Sequence, residues 1–194
     1  FTKSGLFYSR RIGVQTSSEV YESQLTENET IEEKPSSVPL LNASKVSGRL
    51  KNGLGIGVFN AITAEQRANA IDEQENSSRE IIFSPLTNYN VIVLDQNLKN
   101  NGFINFTNTS VLRNGNFYDA NVTGLNTKLN TKTNDYFIES FAVLSNKINS
   151  GNTSLGHSWG VETGKQRGKL TFGAAYYEES DTYDPNDLGF LRAN

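Results

Sequence analysis

Along LGHSWGVET, residues 155–163, side chains alternate in kind without a break. Leu155, His157, Trp159 and Val161 share one parity, and Gly156, Ser158 and Gly160 share the other. A period of two places one set on each face of a β-strand. The same pattern recurs in LGIGVFNAIT, where Leu54, Ile56, Val58 and Ile62 oppose Gly55, Gly57, Ala61 and Thr63. It recurs again in Phe103–Arg113 and Lys169–Glu179. One face therefore collects large aliphatic and aromatic side chains. The other collects Gly, Ser, Thr, Asn and scattered charges. Helical periodicity is nearly absent. The most helix-like stretch, Thr63–Glu75 (TAEQRANAIDEQE), has few apolar anchors and reads as loop with at most one helical turn.

Turn chemistry divides the chain into hairpins. Asn-Gly at 52–53 is the strongest short hairpin signal. KNNG at 99–102, TKTN at 131–134 and GKQRG at 164–168 punctuate further strand pairs. The strands expected are Leu6–Gly13, Leu40–Leu50, Leu54–Thr63, Asn88–Leu98, Phe103–Arg113, Asn121–Leu129, Asp135–Ser145, Leu155–Thr163 and Lys169–Glu179. The other connections read as longer and polar, above all about 14–38 and 65–86. About nine strands of roughly nine to eleven residues, with short turns on one side and long loops on the other, is the organisation of an antiparallel up-and-down transmembrane β-barrel. The expectation is an all-β chain forming part of one such barrel domain, about nine to ten strands of it.

Composition permits this. The 194 residues are 36% hydrophobic and 20% charged, with a formal net charge of −3. No long apolar run offers a transmembrane helix, but barrel strands average out as polar. No clustered basic surface points to nucleic acid. There are no cysteines and one histidine, so disulfides, thiolate sites and a His-rich metal centre are excluded. The 24 asparagines suit turns and polar β-surfaces better than helices.

LFYSRRIG (6–13) puts Arg10 and Arg11 side by side in a strand, hence on opposite faces. A barrel accommodates both. Arg11, which shares parity with Ser9, is expected to face the lumen. Arg10 shares its face with Tyr8 and is expected near a membrane boundary, since an outward arginine costs about 2–4 kcal/mol at the bilayer midplane.

LFYSRRIG, ASKVSGRLKNGLGIGVFNAIT, SPLTNYNVIVL and YDPNDLGFL, in that order, resemble the large outer-membrane barrel domain of Bacteroidetes-type bacteria. That domain usually follows a family-nine-like carbohydrate-binding domain, and the family has no defined activity. The resemblance implies a location in the bacterial outer membrane and a glycan-related task. It also implies that this chain is the N-terminal part of a larger barrel, with Leu188–Arg192 the start of a further strand.

Several residues invite chemistry. Lys45 and Arg49, on one face of the second strand, form with Arg11 either a cationic lumen patch for anionic solutes or an ordinary polar wall paired with acidic neighbours. Trp159, Phe172, Tyr176 and Tyr177, with Tyr8 and Arg10, read as interface girdle residues, a sugar-stacking platform being the sharper alternative. Asp181, Asp184 and Asp187 could hold calcium, although Asp-Pro-Asn-Asp is also ordinary turn sequence. The acidic run Glu19–Glu33 lacks EF-hand spacing. His157 has no assignable nucleophile or acid partner. Glu178 and Glu179 are adjacent and face opposite ways, unlike a glycosidase pair.

The expected function is a non-enzymatic barrel that transports solute or glycan, or anchors an upstream domain. No cofactor is expected. The expected partners are the bilayer and its lipopolysaccharide, with a glycan or small solute. The alternative is a soluble β-sandwich or adhesin-like module, whose Leu/Ile/Val faces would pack against each other.

Overall fold

The computed structural model describes residues 12–13, 17–72 and 74–187. Nearly all regular structure is β, in two antiparallel sheets. The larger contains β2 (Leu40–Arg49), β3 (Leu54–Thr63), β6 (Thr87–Asn97), β7 (Phe103–Arg113), β8 (Asp119–Asn130), β9 (Tyr136–Asn149), β10 (Asn152–Lys165) and β11 (Phe172–Glu179). These lie in the order β11-β10-β9-β8-β7-β6-β3-β2, a meander in which each strand pairs with its neighbours. The smaller sheet has the order β1-β4-β5, from β1 (Glu29–Ile31), β4 (Gln66–Asp72) and β5 (Ser77–Ser84). A short helix, α1 (Ser18–Glu22), packs against it.

Turn chemistry acts as the sequence indicates. Gly53 adopts φ +86°, beyond easy reach of a side-chain-bearing residue. Its N–H donates to Leu50 O at 3.0 Å, closing β2 onto β3. Between β6 and β7, Asn100 and Asn101 both have positive φ, and Gly102 N–H donates to Lys99 O at 3.1 Å. Two left-handed central residues are the hairpin turn that matches strand twist. The turns after β2, β6, β8 and β10 all fall at one end of the sheet.

Four expectations about connections are corrected. Residues 65–86 are not a long loop, nor is Thr63–Glu75 loop or helical turn: β4 and β5 form a hairpin there. Residues 14–38 hold α1 and β1 rather than loop alone. The connection between β9 and β10 is only Ser150-Gly151. The inserted hairpin has its own small core, in which Ala68, Ala70, Ile81 and Phe83 pack with Tyr21 of α1. The Tyr21 and Phe83 rings stack at 4.8 Å. Gln24 Nε2 donates to Ile82 O at 2.7 Å and its Oε1 accepts from Ile82 N–H at 3.2 Å, so one amide side chain pairs with β5 as a neighbouring strand would.

The large sheet has unlike faces. Its small-residue face is the covered one: Ala61, Val91, Val93, Val111, Ala120 and Val122 are buried, with Ile12, Phe59 and Tyr89 packed against them. Its aliphatic face is open, with Val58, Ile92, Leu125, Leu144 and Leu155 all exposed. No second sheet covers that face among the described residues. The sheet does not close on itself there either. β2 and β11 are its two edges, and each is exposed along its whole length.

Candidate functional site

The covered face carries the ion pairs made by the sheet's Arg49 and Lys128. Arg49 lies across Gly55, and its Nη2 reaches Asp95 Oδ2 at 2.6 Å on the strand beyond. A side chain at 55 would crowd that guanidinium. Lys45 shares this face of β2 with Arg49. Lys128 on β8 pairs with Glu139 on β9 at 2.8 Å. Gly160 of β10 sits between Phe141 and Tyr177, whose rings close over it with centroids 6.0 Å apart. Opposite charges thus meet on the covered face, which leaves it without a field of one sign.

The densest cluster lies at the end of the sheet opposite the turns after β2, β6, β8 and β10. Arg113, the last residue of β7, pairs with Asp187, and both side chains are 6% exposed. The Tyr118 hydroxyl donates to the same carboxylate at 3.1 Å. The Tyr118 ring has the Arg113 guanidinium at 4.2 Å and the Lys147 ammonium at 4.6 Å from its centroid. Lys147 of β9 pairs in turn with Glu19 of α1 at 2.6 Å and Asp184 at 3.3 Å. Burial, and next the Asp187 charge, push the Tyr118 phenol up to about 12. A polar cavity of about 190 Å³ lies against this cluster.

The sequence candidates are distributed as follows. Tyr8, Arg10 and Arg11 lie outside the described residues. Arg49 and Lys45 stand on the covered face of the sheet. Trp159 and Tyr176 stand on the open aliphatic face, their rings 5.4 Å apart, and Phe172 shares the parity of Tyr176 on β11, whereas Tyr177, the next residue of the strand, is on the covered face against Phe141, away from the expected girdle. Asp184 and Asp187 turn toward Lys147 and Arg113, while Asp181 stands in the exposed turn after β11. No cluster of three or more His, Cys, Asp or Glu side chains suited to a metal forms among the described residues. His157 Nε2 lies 3.4 Å from Glu178 Oε1 on the outward face. Sequence reasoning did not single out Arg113, Tyr118 or Lys147. The available signal was Asp184 and Asp187, two fixed anions in a stretch whose cations lay in other strands.

The outward face has its own order. Asn60 Nδ2 donates to Asn88 Oδ1 at 2.6 Å and to Asn90 Oδ1 at 2.9 Å, and Asn108 Nδ2 donates to Thr123 Oγ1 at 2.7 Å. These amides satisfy one another across strands β3, β6, β7 and β8. Toward the short turns the same face presents Ile56, Leu94, Ile104, Leu125, Leu129 and Ile138.

Neither the curated proteins nor the solved structures contain a match to this chain. One family model matches all of residues 1–194, and the chain therefore belongs to the family described as a domain of unknown function, DUF5916.

Proposed function

We propose that this chain forms part of the wall of an outer-membrane β-barrel, with the aliphatic face toward lipid and the Gly/Ser/Thr/Val face toward the interior. The observation that carries the reading is the inversion of the two faces. Large side chains stand exposed while small ones are covered. Water would favour the reverse, since each fully exposed Leu, Ile or Val forgoes about 1.5–3 kcal/mol of burial. Lipid removes that conflict. Strand length agrees, because β6 to β10 run from 11 to 14 residues, enough to cross a tilted path through a bilayer. The cross-strand bonds of Asn60 and Asn108 agree as well, because hydrocarbon would offer these amides no other partner.

Within that reading the wall serves solute passage or the mounting of an upstream domain, with a glycan or another hydrophilic molecule as the solute. Reconstitution into liposomes carrying lipid-phase quenchers tests it. Trp159 fluorescence should be strongly quenched by acyl-chain labels and little by aqueous iodide. A protein that stays monodisperse without detergent, with Trp159 shielded from lipid labels, would instead fit a sandwich or adhesin-like module.

A further inference from the structure

The chain after β11 folds back over the covered face. Ser180 N–H donates to His157 O at 2.9 Å, and Thr182 Oγ1 donates to Leu155 O at 2.8 Å. Between them the backbone crosses β10 at Gly156, where an added Cβ would collide with the Thr182 carbonyl and the Tyr183 Cα. Tyr183 then packs on Val122 of β8 and Val143 of β9. Asp184 N–H donates to Ser145 Oγ at 3.0 Å, and Asp187 ends on Arg113. Residues 180–187 thus strap the inner wall from β10 to β7. Glu19 of α1 meets the strap's Asp184 at Lys147.

This strap has a small apolar footing. Tyr183 is its one large apolar anchor, and the sequence SDTYDPND is otherwise polar. Segments with few buried apolar contacts open at low free energy. The arrangement seats a polar strap where it can be displaced without unpacking the sheet. Behind it lies the polar cavity, walled in part by Tyr89, Arg113, Asp184 and Asp187.

We propose that residues 180–187 are a gate: seated, they block the inner wall at the end away from the short turns, and their release opens it to hydrophilic solutes. The gate rests on the barrel-wall reading. Two independent variants should release it. Gly156→Ala pushes on the strap backbone without altering charge. Lys147→Gln removes the bridge to Asp184 and Glu19. The chain has no cysteine, so Val122→Cys, beneath Tyr183, reports strap position by maleimide labelling of the full chain in liposomes. Far-ultraviolet circular dichroism confirms that each variant keeps its β-structure. Labelling is expected to rise about tenfold in both variants, and ion conductance across planar bilayers to rise with it. Unchanged labelling in both overturns the gate, as does faster labelling with no change in conductance. Flotation with liposomes reads the membrane assignment separately. A chain that floats while its variants neither label nor conduct sinks the gate and leaves the wall standing. A chain that does not float sinks both.

Discussion

Glu29 receives Arg79 Nε and Nη2, each at 2.6 Å, and the Thr26 N–H at 2.9 Å. The Arg79 hydrogen bonds, and then the backbone of Thr26, hold its carboxyl at about 2, against 4.5 for an ordinary glutamate. Because this value is lowered on folding, the contribution is whole above about pH 4.5 and is lost as pH falls toward about 2. Amide exchange of Ala70 and Ile71 in β4 should accelerate through that window, and Glu29→Gln should remove the pH dependence. Tyr118 runs the other way. Its raised phenol favours the folded state until pH passes about 10, and that contribution fades as pH approaches about 12. Among the eight tyrosines, Tyr118 should be among the last to show tyrosinate absorbance, and Tyr118→Phe should delete that late step. Neither value could be read from sequence, because the partners Arg79 and Asp187 lie 50 and 69 residues away. Gly160 teaches the same lesson. Its parity was legible, but the reason for it was not, since the two rings that fill its place come from other strands. Gly160→Ala should cost about 1–3 kcal/mol in denaturant unfolding through overpacking.

At the scale of elements, legibility followed local chemistry. The Asn-Gly and Asn-Asn-Gly turns name their own backbone conformation, and β3, β7 and β10 show their alternation to the eye. β4 and β5 do not. QRANAID and SSREIIFS set Arg67, Asn69 and Glu80 on the open side, and on the other Ala68, Ala70, Ile81 and Phe83 share the face with Asp72 and Arg79. Their second layer is α1, more than forty residues upstream of β4, so no local window contains the reason they are strands. The dependence is testable. Tyr21→Ala should remove about 3 kcal/mol from the small sheet, seen as faster amide exchange in β4 and β5 with the β7–β9 ladder unchanged.

For the molecule as a whole, the two-faced character of the sheet was legible, whereas which face would be covered was not. Period-two alternation sorts side chains into sets without saying what medium meets each set. Here the small set is covered in part by Ile12 and by Tyr183 of residues 180–187. Substitution reads the medium directly. Under the proposed membrane assignment, Leu125→Arg should disfavour folding into liposomes by about 2–4 kcal/mol if it lies near the midplane. In water, at an exposed site, the same change should stay within about 0.5 kcal/mol.

The meander also has a kinetic meaning. From β6 to β11 every strand pairs with the next along the chain, so contact order is low and each hairpin can close over a short loop. The β3–β6 ladder is different. Asn60 faces Asn90 only after the intervening hairpin has been drawn aside. The strap, in turn, has no surface to lie on until β7, β8, β9 and β10 are assembled. Pulse-labelled refolding should therefore protect the β8–β9 and β9–β10 amides first, the β3–β6 amides later and the strap N–H of Asp184 last. The sheet would zip from one side, and its crossbar would fall into place only once the sheet stood.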